Sequence, residues 1–308
     1  MIWALATVVV ILVAAPLLAE RLRPPIDARG RRLASGDFAE LSRGLTYFEW
    51  RGPSRGPIVV CVHGLTTPSY IYTPLAVALT ALGYRVLTYD LYGRGLSDRV
   101  RGRQDRAFFV DQLEELLIAL EVRQTVSLIG YSMGGAIAAA FAQSHPERID
   151  RLILLAPAGL GHRPSRFHAF CSRFPVLGDG LMRLFGHIVH RRSVDRSIPD
   201  NPELPGFVPR VAGEMGYRGT LPAVLSSLRH MLAEDMAPTH RALAETALPV
   251  LAVWGGADRT IPLAAMGRLA QVNRKARQVE LRGATHALPF THPDEITAAL
   301  TDLLRDPV

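Results

Sequence analysis

Ile129-Gly130-Tyr131-Ser132-Met133-Gly134-Gly135 sets one serine between two glycines, directly after the apolar run Val126 to Ile129 and ahead of an alanine-rich helical stretch. The spacing suits a sharp strand-to-helix turn. Such a turn crowds the serine into a strained backbone conformation and leaves no room for side chains two positions to either side, where glycine has none to clash. It also lifts the hydroxyl into the open and aims the first N–H groups of the following helix at the spot where an oxyanion would develop. Nucleophile and stabiliser then come from one turn, and the flanking sequence decides whether the chain uses it.

Working outward, Leu45 to Trp50, Ile58 to Val62, Arg85 to Leu91, Thr125 to Ile129, Leu152 to Ala156, Pro249 to Trp254 and Gln278 to Leu281 are short β-rich runs. Helical spacing lies between or after them, at Leu75 to Leu82, Phe108 to Leu120, Ala136 to Gln143 and Asp294 to Leu304, so parallel strands with crossover helices are expected. From 161 to 246 the alternation breaks. That interval has no clear strand but contains helix-like pieces such as Leu177 to His190 and Leu221 to Met236, and reads as an inserted helical cap. The core is then 45–160 together with 247–308, and 20–44, which starts near Pro24-Pro25, reads as a connector. No internal repeat or low-complexity tract points to a solenoid or scaffold.

At 308 residues and 48% hydrophobic content the chain can bury a large core. The formal charge of +7 comes almost wholly from arginine with acidic residues interspersed, so nothing resembles a basic block for nucleic acid. Cys61 sits inside an apolar run and Cys171 stands alone, which suits packing thiols rather than a disulfide or a Cys-rich metal site. No metal or cofactor is expected.

Met1 to Ala19 carries no charge, and as a helix rising about 1.5 Å per residue it nearly matches a hydrocarbon core of about 30 Å. The expectation is an uncleaved transmembrane anchor over 1–19. Arg21, Arg23, Arg29, Arg31 and Arg32 follow it, which would keep the catalytic domain on the cytoplasmic side of the membrane. The competing reading is a cleaved signal and a periplasmic or secreted domain.

A serine hydroxyl needs a base within hydrogen-bond reach, and the base needs a carboxylate to hold its tautomer. Two late loops meet the demand. Gly255-Gly256-Ala257-Asp258 follows the run Pro249 to Trp254, and Gly283-Ala284-Thr285-His286 follows Gln278 to Leu281, so Asp258 and His286 emerge from neighbouring strand ends and can converge on Ser132. Alone, Asp258 is an ordinary turn residue or a partner for Arg259, and His286 is one of ten histidines. None of the others follows a late strand so directly. The turn His63-Gly64-Leu65 leaves an early strand end, where the backbone N–H of Leu65 would join that of Met133 as a second oxyanion donor. In the cap, Phe167, Phe170, Phe174, Leu181 and Phe185 are candidate walls of an acyl pocket, with plain helix packing as the alternative.

His63-Gly64, Asp90-Leu91-Tyr92-Gly93-Arg94-Gly95-Leu96-Ser97, Gly130-Tyr131-Ser132-Met133-Gly134, Gly256-Ala257-Asp258 and Gly283-Ala284-Thr285-His286 together resemble the successive signatures of the α/β-hydrolase superfamily. The resemblance implies a mostly parallel eight-stranded sheet flanked by helices, with a Ser132-His286-Asp258 triad. More loosely, the Ser-Met-Gly-Gly elbow and the apolar N-terminus resemble membrane-bound monoacylglycerol lipase-like hydrolases, which implies a lipid-like or other apolar acyl ester as substrate. Serine at 132 disfavours the chemistry of the haloalkane dehalogenases and epoxide hydrolases of this fold, which carry aspartate there. Carbon–carbon bond hydrolysis, thioester or amide cleavage, acyl transfer, and a catalytically silent ligand-binding or interaction protein at the membrane stay open, as does the oligomeric state.

Overall fold

The computed structural model describes residues 2–32, 34–162, 164–197 and 206–305. Eight strands form one sheet: β1 (Asp37–Leu41), β2 (Gly44–Arg51), β3 (Ile58–Val62), β4 (Arg85–Tyr89), β5 (Val126–Tyr131), β6 (Ile149–Leu155), β7 (Val250–Gly255) and β8 (Arg277–Leu281). Their order is β1-β2-β4-β3-β5-β6-β7-β8. The pairs β1/β2 and β2/β4 are antiparallel, and every pair from β4/β3 onward is parallel. Strands β3, β5 and β7 are buried along their whole length, as apolar runs covered on both faces should be. Chain direction across the sheet reverses at β3, with β4 on one side and β5 on the other. A crevice opens at such a switch point beyond the carboxyl ends of the strands.

Among the described residues thirteen helices accompany the sheet: α1 (Ile2–Leu22), α2 (Ala28–Arg31), α3 (Thr73–Ala81), α4 (Arg106–Ala119), α5 (Met133–Ser144), α6 (Arg166–Arg173), α7 (Pro175–Ser197), α8 (Phe207–Gly213), α9 (Thr220–Arg229), α10 (Ala237–Ala244), α11 (Ala264–Val272), α12 (Leu288–Thr291) and α13 (Pro293–Arg305), with short 3-10 turns between some of them. Helix α4 starts where the Asp105 side chain accepts the N–H of Phe108, a cap that satisfies one of the free donors of the first turn. Helix α5 is buried from Met133 to Ala142, and its alanines let it lie close to the sheet. Helices α6 to α10 all lie between β6 and β7, where the described residues contain no strand. Arg106 of α4 latches this insertion to the core, donating to Glu234, to Thr239 at 2.6 Å and to Gln143 at 3.0 Å.

Two expectations need correction. Among the described residues no helix is long and apolar enough to cross a membrane, so a transmembrane anchor over 1–19 is not what the chain forms. Helix α1 lies against α7 instead. Pro16 is buried, and a Cβ on Gly180 would touch its ring at 3.5 Å. Beyond it, Glu20 accepts the N–H of Gly219 at 2.6 Å, Arg23 donates to the carbonyl of Arg183 at 2.6 Å, and the N–H of Arg218 donates to the carbonyl of Pro24 at 2.9 Å. The second correction concerns the connector. Its last residues form β1, paired with β2 in the register Phe38 to Tyr47 and Leu41 to Gly44, and one turn of helix, α2, precedes it.

Candidate active site

The elbow at Ser132 is built by contacts that forbid side chains around it. Ser132 has φ 55 and ψ −119, a strained combination for a residue with a Cβ. A Cβ on Gly130 would meet the carbonyl oxygen of Gly134 at 2.4 Å, one on Gly134 the carbonyl oxygen of Val62 at 2.0 Å, and one on Gly135 the ring of Pro157 at 2.8 Å. Glycine at these positions lets β5, β3 and α5 crowd together. Two backbone bonds hold the turn: Ser132 N–H donates to Leu155 O at 2.9 Å, and Ser132 O accepts from Ala158 N–H at 2.9 Å.

His286, in the loop after β8, places Nε2 at 3.0 Å from Ser132 Oγ and Nδ1 at 2.6 Å from Asp258 Oδ2. Asp258, in the loop after β7, has no exposed side-chain surface, and its Oδ1 accepts the N–H groups of Thr260 at 2.7 Å and Ile261 at 2.9 Å. A carboxylate so engaged holds Nδ1 as the protonated nitrogen and leaves the Nε2 lone pair facing the serine. The ring of Tyr131 lies 5.1 Å from that of His286 and supports it from the side.

At the end of β3 the turn His63-Gly64-Leu65 packs directly on the elbow, since a Cβ on Gly64 would meet Ser132 Cβ at 3.3 Å. His63 is fully buried, and its tautomer follows from its partners: Nε2 accepts the N–H of Leu91 at 2.9 Å, so Nδ1 carries the proton and donates to Gly64 O at 2.8 Å. Burial pushes its pKa down to about 4, and the ring is neutral. The carbonyl it holds belongs to the same planar peptide as the Leu65 N–H, so fixing one directs the other the opposite way.

Ser132, His286, Leu65 and Tyr131 line a cavity of about 370 Å³ beneath the helical insertion. Its wall combines the apolar Ile71, Val189, Val194, Val211, Leu228 and Leu232 with the polar His162, His168, His190, Ser193 and Arg259. Burial lowers the pKa of all three histidines, to about 4 for His168, where a second contribution comes from His190; for His162 the second contribution is the neighbouring His286. His190 donates from Nε2 to Val211 O at 2.9 Å, a bond that partly offsets its burial.

The structure thus brings together Ser132, Asp258, His286, the Leu65 turn and the Met133 helix start. It does not bring the aromatic stripe to the cavity. Phe170, Phe174 and Phe185 are 39%, 49% and 46% exposed, while Phe167 and Leu181 pack against the core without lining the cavity. The lining histidines and Arg259 escape a reading of local sequence, with one partial signal: His162 stands in a glycine-containing loop just past a strand, the position that marked Asp258 and His286. Among the described residues no cluster of three or more His, Cys, Asp or Glu is placed to hold a metal ion, and Cys61 and Cys171 are separate, buried thiols.

The model of one protein family, serine aminopeptidase S33 (Hydrolase_4), matches residues 53–290. A putative non-heme chloroperoxidase of Synechocystis sp. is 26% identical over 286 residues, covering 84% of this chain and 94% of that protein. The 2-hydroxymuconate semialdehyde hydrolase of Pseudomonas sp. (strain CF600) is 27% identical over 232 residues, covering 72% of this chain and 77% of the relative. Among solved structures, the enol-lactonase of Burkholderia xenovorans LB400 superposes with a TM-score of 0.71 at 23% identity, over 88% of this chain and all of that one.

Proposed function

The chain belongs to the serine aminopeptidase S33 hydrolase family, and within it we propose a serine hydrolase that cleaves a carboxylic ester with an apolar acyl group. The observation that carries the reading is the unbroken line from Asp258 through His286 to Ser132, opening into a partly apolar cavity. In the proposed cycle His286 Nε2 takes the proton as Ser132 Oγ bonds to the ester carbonyl carbon, and the carbonyl electron pair moves onto oxygen, where the N–H groups of Leu65 and Met133 stabilise it. Collapse of the adduct expels the alcohol, which receives the proton from His286. A water molecule then gives its proton to His286, attacks the acyl-enzyme and releases the acid, and Ser132 regains its hydrogen.

Ester is favoured over peptide by the lining. Among the described residues it contains no Asp or Glu that could hold the free amine of a peptide substrate, and its charged member is Arg259. A second reading, hydrolysis of a carbon–carbon bond, draws on the similarity to the Pseudomonas semialdehyde hydrolase. Labelling with a fluorophosphonate, located by mass spectrometry, is expected at Ser132 and absent from Ser132→Ala. A folded wild-type protein that never labels counts against the whole proposal. A panel of acyl-glycerols, short esters, thioesters, peptides and vinylogous diketones then separates ester hydrolysis from its rivals.

A further inference from the structure

Arg94 is fully buried at the base of the helical insertion, 1% exposed. Its guanidinium joins separate parts of the chain. Nε donates to Leu65 O at 3.0 Å, Nη1 to Tyr92 O at 2.9 Å and Gln104 Oε1 at 2.5 Å, and Nη2 to Ser227 Oγ at 2.7 Å and Ala223 O at 3.5 Å. Buried arginines commonly answer a carboxylate, yet all of these acceptors are neutral. Burial, with Arg99 nearby, lowers its pKa to about 9, so the charge persists at neutral pH. What the charge gains is geometry: a planar fork that fixes several oxygens at once.

Two of those partners matter for the site. Leu65 is pinned on both sides, its preceding peptide by His63 through Gly64 O and its following peptide by Arg94. His63 acts from inside the core, whereas Arg94 reaches out to α9, where Ser227 in turn donates to Gln104 at 2.8 Å. The turn that carries Arg94 also touches α9 directly. Gly93 has φ 84, and a Cβ there would meet the Ala223 Cβ at 2.4 Å, so no side chain separates the two segments.

We propose that Arg94 is a positioning residue that ties the Leu65 oxyanion donor to helix α9, so that the donor is correctly aimed only while α9 is seated on the Gly93-Arg94-Gly95 turn. Its catalytic consequence rests on the serine-hydrolase reading above, but the tie itself does not. Hydrogen exchange and inhibition kinetics on the full chain test the two separately. In Arg94→Met, exchange across residues 63–68 accelerates about 10-fold or more while β5 stays protected, and Arg94→Lys shows a smaller increase. With a nitrophenyl ester, kcat of Arg94→Met falls about 10²-fold at nearly constant KM. Affinity for an aryl boronic acid, which forms a tetrahedral adduct at serine, falls in parallel, and affinity for the product carboxylate does not. Ser227→Ala removes the shorter of the two bonds from Arg94 to α9, leaving the longer one to Ala223 O, and lowers kcat about 2- to 10-fold, with faster exchange at residues 63–68.

Wild-type exchange at residues 63–68 in both Arg94 variants overturns the tie, and a loss of kcat with unchanged boronate affinity overturns its action on the Leu65 donor. If the wild-type protein neither labels with a fluorophosphonate nor hydrolyses any ester, while the exchange difference persists, the hydrolase reading fails and the tie stands. Should Arg94→Met not fold, Arg94→Lys and Ser227→Ala carry the same comparisons.

Discussion

Asp258 meets His286 with one carboxylate oxygen only: Oδ2 lies 2.6 Å from Nδ1, while Oδ1 is taken by the N–H groups of Thr260 and Ile261. This division decides what Asp258→Asn does. The amide oxygen must stay with the two backbone donors, so the NH2 group turns to His286 and Nδ1 becomes an acceptor. The ring proton then sits on Nε2, where it blocks proton transfer from Ser132. Turnover is expected to fall about 10⁴-fold with little change in thermal stability. Activity within a factor of ten of wild type, measured on the best ester of the panel, removes Asp258 from the mechanism.

Ser132 combines its proposed chemical role with a backbone cost. Ser132→Ala is expected to lower turnover about 10⁴-fold or more. Ser132→Gly should be equally inactive but more stable than Ser132→Ala by about 1 kcal/mol, because φ 55 with ψ −119 suits glycine and strains alanine. Urea denaturation of the two variants checks the sign; a more stable alanine variant would mean that the elbow is not strained.

Acid should weaken the fold through its buried imidazoles, His63 and His240 foremost among them. Burial holds His63 and His240 at about 4 in the folded protein, against 6.5 for an ordinary histidine, and neither ring nitrogen of His240 has a hydrogen-bond partner. Between these values the unfolded chain binds more protons than the folded one. Stability is therefore complete above pH 6.5 and declines as the pH falls toward 4, by at most about 3 kcal/mol for each group. Denaturation midpoints taken from pH 4 to pH 8 report the decline, and His240→Leu should remove part of it while raising the midpoint near pH 5. A flat wild-type profile contradicts this account.

Docking of α1 predicts a stability effect remote from the chemistry. Arg218→Ala loses donors to the carbonyls of Arg21 and Arg23, and Arg23→Ala loses its bond to Arg183 O and its pair with Glu20. Each should cost roughly 1 kcal/mol, lowering the midpoint by about 2 °C in a chain of this size. Unchanged midpoints in both would show that α1 adds nothing to the fold.

Much of this arrangement was readable from the chain because its determinants are local. Glycines around Ser132 and the apolar runs before Asp258 and His286 sit within a few residues of what they build. Strand β1 is hidden in the sequence for a physical reason: it is an edge strand, with Asp37 and Glu40 exposed and only Ala39 and Leu41 buried, so its composition reads as linker. The cavity histidines are not legible in the sequence because His162, His168 and His190 reach one cavity through tertiary packing, which no spacing encodes. The apolar N-terminus misled for the same reason, since hydropathy does not reveal that Pro16 and the turns after it are engaged by α7 and its neighbours.

Helix α7 packs against α1 near Gly180 and Arg183, and further along the same helix Val189, His190, Ser193 and Val194 form a wall of the cavity. A helix is stiff over this length, so a shift at one end arrives at the other. In mechanical terms the first segment of the chain is a handle on one wall of the cavity. A displacement of α1 would therefore be felt, through α7, at a cavity that no described residue of α1 lines.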